Sequence, residues 1–210
     1  MHSWWKRWKM HVMPPAIDTT CLADAFPKES RRIYARRYED VQNGGALKSE
    51  LISVSKSTDE SARKRMDYAF VNGRMLTSRQ HLLTACMQAI VASQRAGAGC
   101  KTPTVHSEIL WVLSPGNNVG DALRRFGVAA DTQSLVLVRI CAAPQDGGPE
   151  PEQVAAAMDE LVAGRPADRV DGECDWQAIR TVYKLKDAAV DTAAALDTVV
   201  CSTVATKYVA

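Results

Sequence analysis

The chain has 210 residues, 46% of them hydrophobic, enough to bury one substantial core with a small appendage. Lys and Arg number 26 against 24 Asp and Glu, and three of the bases (Lys6, Arg7, Lys9) sit in an opening stretch without an acid. The remainder is close to neutral, which excludes coating of nucleic acid by a broad basic surface but leaves room for a small local site.

Residues 1–13 read as an extension in which Trp4, Trp5 and Trp8 interleave with those bases. The pattern suits an amphipathic helix for a membrane surface or a partner groove, and equally a disordered tail. A single domain over 14–210 is expected to follow. RRIYARRY (31–38) has the β-branched and aromatic content of a strand. VQNGGALKSELISV turns into a helix whose Leu47, Leu51 and Val54 make one buried stripe. SKSTDESARKR, polar and charged, reads as a surface loop, and DYAFV (67–71) as a short buried strand closed by Asn72-Gly73.

Ser78 caps a long helix with a core face assigned to Leu83, Met87, Ile90 and Val91, ended by Gly97 and Gly99. HSEILWVL is a shorter helix with Ile109, Val112 and Leu113 inward. SLVLVRI is apolar on both faces and predicts a central strand. AAPQDGGPEP is a loop, and PEQVAAAMDELVAG a helix with Pro151 in its first turn and Gly164 at its end. AIRTVYKLK is open between strand and helix, and DTAAALDTVVCSTVATKY closes the chain as a helix. Strands and helices alternate without βαβ regularity. An α+β fold follows: a mixed, largely antiparallel sheet flanked by several helices.

The search for chemistry turns on SEILWVLSPGNNVGDALRRFGV (107–128). A phosphate loop needs GxxxxGK[ST], yet Gly116 and Gly120 have the wrong spacing and Asp121 stands where lysine belongs. The same residues explain a helix–turn–helix. Ser114-Pro115-Gly116 stops one helix, Asn118 caps the next, and Gly127 ends it as a left-handed cap. Val119, Ala122, Leu123 and Phe126 supply its buried face. The cysteines are scattered without a CxxC pair, which suits reduced thiols in the cytoplasm or nucleus. His81, Cys86, Cys100 and His106 have the ligand types for zinc, but His81 and Cys86 diverge by about 140° on a helix. No metal or cofactor is called for. His106 and Glu108 in a cleft remain the one enzyme alternative, and a membrane adaptor acting through residues 1–13 the other.

KTPTVHSEILWVLSPGNNVGDALRRFGV then carries a family. It resembles the PRPK-binding proteins, the small subunit of the KEOPS (EKC) complex. The family has a basic-Thr-x-Thr segment, a Ser/Thr-Glu-Ile helix, a Leu-Ser-Pro-x-Asn-Asn turn, and an Ala-Leu-basic-basic-Phe-Gly helix. Lys101, Thr102, Thr104, Ser107, Glu108, Ile109, Leu113 to Pro115, Asn117, Asn118 and Ala122 to Gly127 fit it. AFPKESRRIYARRYEDVQNGGALKSEL, LLTACMQAI, VYKL and DTVVCSTVATKYV extend the likeness; Gly44 departs where the family has alanine.

The resemblance implies a non-catalytic subunit without small-molecule substrate. It would bind an atypical kinase/ATPase subunit directly and other KEOPS subunits indirectly. It would also help hold the single-stranded 3′ end of tRNA while other subunits install threonylcarbamoyl on the adenosine beside the anticodon. For the kinase, Leu196, Val200 and Val204 offer an i, i+4, i+8 row with Val199 and Thr203 beside it, the spacing of helix-in-groove contacts. The alternative is that this row packs on the domain itself. For RNA, Lys101 with Thr102 and Thr104, Arg124 with Arg125, and Arg36 with Arg37 are the local basic clusters.

Overall fold

Two strands, β2 (Arg32–Glu39) and β4 (Leu135–Cys141), pair antiparallel from Arg32–Cys141 to Tyr38–Leu135. β1 (Asp18–Cys21) lies outside β2 and β3 (Ala69–Asn72) outside β4, giving the order β1-β2-β4-β3. A two-residue strand, β5 (Arg165–Pro166), joins the end of β2, and each of these pairings is antiparallel. The computed structural model describes residues 17–95, 99–185 and 192–209. The extension over 1–13 and Gly97 lie outside them.

Alternation along the strands sends one set of side chains to each face. Ile33, Ala35, Ala69, Val71, Val136, Val138 and Ile140 face one core. They share it with residues from α3 (Arg79–Ser93), α4 (Val105–Leu113), α5 (Val119–Phe126), α7 (Trp176–Val182) and α8 (Ala193–Ala205). Tyr34, Tyr38, Phe70, Leu135 and Leu137 face a second core with Leu47 of α1 (Gly44–Lys56) and Val154 and Met158 of α6 (Pro151–Leu161). A sheet covered on both sides is why LVLV in β4 is apolar at every position. The α+β expectation holds.

Several local expectations change. The charged stretch after α1 is not all loop: Asp59 accepts from the Ser61 amide and caps α2 (Glu60–Arg65). α3 does begin at Ser78, but Leu82, Ala85, Cys86, Ala89 and Ile90 form its inner face, while Met87 and Val91 are 40% and 37% exposed. Apolar residues run nearly all round this helix, so its sequence gave no unique stripe. The ambiguous AIRTVYKLK begins inside a helix, α7. Leu123 of α5 is exposed rather than inward. Gly127 is extended, with φ −83° and ψ 174°, not left-handed. Glycine is needed there because a Cβ would lie 2.3 Å from the Leu123 carbonyl oxygen.

Arg36 and Arg37 are not a surface cluster, and they leave the RNA reading. Each is about as buried as the strand's tyrosines. Arg36 pairs with Asp159 of α6 at 2.9 Å. Arg37 Nε donates to Glu39 (2.5 Å), and its terminal nitrogens donate to the carbonyls of Gly73, Val170 and Glu173 (3.4, 3.3 and 3.0 Å). The loop wraps so closely that a Cβ at Gly172 would stand 2.3 Å from the Arg37 guanidinium carbon.

His81 is likewise structural. The Thr77 amide donates to its Nδ1 (3.3 Å), so Nε2 carries the proton and donates to the Tyr183 hydroxyl (3.0 Å). That hydroxyl donates to the Leu113 carbonyl (2.5 Å), joining α3, α7 and α4. Burial pushes the His81 pKa down from 6.5 to about 4. Its contribution to stability is therefore complete above pH 6.5 and is lost as pH falls toward 4, where the unfolded chain alone takes up the proton. Urea denaturation should show the chain losing up to about 3 kcal/mol more than His81→Gln between pH 7 and pH 4. Equal losses in the two proteins would reject the assignment.

Candidate protein and nucleic-acid interfaces

The segment that carries the family resemblance is organised by one acid. Glu108, in the first turn of α4, is fully buried. Its Oε1 accepts from the Lys101 amide (2.9 Å), and its Oε2 from the amide and hydroxyl of Thr102 (2.8 and 2.7 Å). Thr104 caps the helix, its hydroxyl accepting from the Ser107 amide (3.1 Å) while Ser107 Oγ accepts from the Thr104 amide (3.2 Å). Thr102 is thus turned inward and is 7% exposed. Its hydroxyl serves Glu108, which removes it as an RNA contact. Lys101 and Thr104 remain on the surface.

The end of the chain closes this loop from the other side. The Tyr208 hydroxyl donates to Glu108 Oε1 at 2.6 Å, and its ring lies 5.4 Å from Trp111 and beneath the Arg95 guanidinium. Lys207 Nζ donates to the carbonyls of Ser114 (2.7 Å) and Gly116 (2.6 Å) and sits 4.2 Å from the centre of the Trp111 ring. Burial lowers the Lys207 pKa to about 8, against the pull of Glu108. Trp111 Nε1 donates to the Asn117 carbonyl (3.2 Å), and the Asn118 side chain accepts from the Asp121 amide (2.9 Å). Every polar group of the Ser-Pro-Gly-Asn-Asn turn named here serves structure. Nothing local to Lys207 signals this role, since its partners lie 93 and 91 residues earlier.

His106 and Glu108 do not share a cleft. They are two residues apart on a helix, on opposite sides, and both are buried. The Ile140 amide donates to His106 Nε2 (2.9 Å), leaving Nδ1 to donate to Asp67 (2.8 Å). Burial acts to raise the Asp67 pKa, but the hydrogen bond from His106 and the charge of Arg139 outweigh it, and the pKa is lowered. With both ring nitrogens committed, the catalytic alternative loses its acid–base group.

The proposed kinase row also divides. Leu196, Val200 and Val204 are 3%, 0% and 1% exposed, and Val200 and Val204 join the core that α3 and α4 build. As an open row they are corrected: these three hold α8 to its own fold. Asp197 accepts from the Thr77 hydroxyl (2.5 Å), and the Ala205 carbonyl from the Gln88 amide (2.9 Å), so that flank of α8 faces α3. Val199 and Thr203 lie on the other flank and are half-buried. Arg124 and Arg125 are exposed on α5. Arg124 pairs with Asp121 at 2.6 Å, and Arg125 lines a shallow cleft of about 320 Å³ with Asp175, Gln177 and Thr181. Among the described residues, no group of His, Cys, Asp and Glu is arranged to hold a metal ion.

The sequence model of the family "Kinase binding protein CGI-121" matches residues 38–208, from β2 to the tyrosine that closes the loop. The chain belongs to the CGI-121 kinase-binding family. A Yarrowia lipolytica protein named "EKC/KEOPS complex subunit CGI121" is 35% identical over 162 residues, 76% of this chain and 83% of its own. An Aspergillus terreus protein of the same name is 32% identical, over 73% of this chain and 74% of its own. One from Cryptococcus neoformans is 28% identical over 88% of this chain and 96% of its own. In this CGI-121 chain, Glu108→Gln would turn an amide N–H₂ toward a backbone N–H that can only donate, Lys101 or Thr102 according to how the amide lies, and would leave only a hydroxyl able to turn and accept. It should lower the free energy of unfolding by about 2–4 kcal/mol in chemical denaturation. A loss under about 0.5 kcal/mol, the range of an ordinary surface change, would contradict the role given to Glu108.

Proposed function

We propose that the chain is the non-catalytic kinase-binding subunit of a KEOPS-type complex, and that it helps to hold tRNA for threonylcarbamoylation beside the anticodon. The name its relatives share supports membership of the complex, and the family's kinase-binding character supports a kinase partner. The carrying observation is the division of α8. One side is sunk in the core, and the half-buried Val199 and Thr203 leave an apolar edge where a partner can add area without unfolding anything. The commitment of His81, His106 and Glu108 to internal bonds supports a binding role over a catalytic one. Its free thiols suit the reducing cytoplasm and nucleus.

For RNA, the exposed Lys101 beside Thr104 supplies one cationic contact, and Arg125 on its cleft a second. Arg124 contributes less, because Asp121 already holds it. A near-neutral body with a few cations suits a short single-stranded segment rather than a duplex.

Two substitutions test the kinase surface. Val200→Glu should unfold the chain, whereas Val199→Glu combined with Thr203→Glu should keep its circular dichroism and thermal midpoint but weaken kinase binding at least ten-fold, or about 1.4 kcal/mol, by calorimetry. Unchanged affinity in the folded double variant would move the interface elsewhere. For RNA, Lys101→Ala should weaken binding of tRNA with an intact 3′ end and flatten the log–log salt dependence by about 0.7, with kinase binding intact. An unchanged slope would remove Lys101 from the contact.

A further inference from the structure

The four donors on Glu108 come from two places. Three belong to the Lys101–Thr102 backbone and the Thr102 hydroxyl, and the fourth is Tyr208, beyond the last turn of α8. Loop and helix tail share one carboxylate, so the order of the loop depends on the segment after α8 that carries Tyr208. The ring of Tyr208 is held by Trp111 and Arg95 independently of the hydroxyl, which makes the hydroxyl separable from the packing. Burial and the bond to Glu108 raise the Tyr208 pKa, so it stays a donor throughout the working range.

We infer that Tyr208 is a positioning residue for RNA: through Glu108 it holds the Lys101–Thr104 loop in its binding form, and so links α8, the partner-binding helix, to the RNA contact. The link deepens the reading above and rests on it. A partner that steadies the end of α8 strengthens the hold on the loop, and RNA on the loop steadies the end of α8. Such coupling is reciprocal by thermodynamic necessity.

The experiment uses the full chain with Tyr208→Phe, which keeps the ring. Amide hydrogen exchange at Lys101 and Thr102 should quicken about ten-fold, the scale of one hydrogen bond to a charged group. Affinity for tRNA with an intact 3′ end should fall by a similar factor, and kinase affinity measured without RNA should fall in the same direction, because the bond that orders the loop also orders the end of α8. Adding the kinase should tighten RNA binding by the wild-type chain several-fold, and by the variant less. Unchanged exchange at Lys101 and Thr102 overturns the inference outright. Faster exchange with unchanged RNA affinity also overturns it, provided Lys101→Ala still weakens RNA binding in the same assay. If Lys101→Ala has no effect either, the RNA reading of the loop has failed and the inference falls with it.

Discussion

A single buried carboxylate, Glu108, sets the form of the segment by which this chain is recognised. A carboxylate out of water is stable only when its lone pairs are filled. Here two amides and two hydroxyls fill them, drawn from the loop before α4 and from the far end of the chain. The loop, the first turn of α4 and the end of α8 are thereby one unit. Lys207 repeats the device with opposite sign at the other end of α4, where its ammonium meets the carbonyl of Ser114, which caps the helix, and that of Gly116 in the turn beyond. Two adjacent residues of α8's tail thus grip α4 at both termini, and α8 cannot leave the domain without loosening the loop.

That constraint would let α8 serve both the core and the partner surface proposed for it. Leu196, Val200 and Val204 bury the helix, and Asp197 and Ala205 tie it to α3. The other flank, with Val199 and Thr203, is held by those contacts, so a partner proposed to bind there would have little left to order beyond the tail after α8. A protein whose work is to hold others gains from surfaces of this kind.

What was legible in the sequence is local. Ser78, Asn118 and Pro151 mark helix starts because capping acts over three or four residues. The central β4 showed itself by apolar residues on both faces. The illegible parts depend on partners distant in the chain. Arg36 and Arg37 look like surface cations until Asp159, 123 residues on, and the carbonyls of Val170 and Glu173 enclose them. The inner face of α3 was misassigned because small residues, Ala85, Cys86 and Ala89, face the core while Met87 and Val91 face out. Thr102 looked like a phosphate contact because nothing local shows that Glu108 claims its hydroxyl. Leu196, Val200 and Val204 do form one apolar stripe, but a stripe does not say whether its partner is the same chain or another.

The central claim is that α8 is core on one side, partner surface on the other, and tied by Tyr208 to the loop before α4. The most direct test is amide hydrogen exchange across the full chain, with and without the purified partner kinase. The account predicts added protection over α8 and, carried through Tyr208 and Glu108, at Lys101 and Thr102, with α1 and α6 on the opposite face of the sheet unchanged. Protection over α1 and α6 with none over α8 would contradict it.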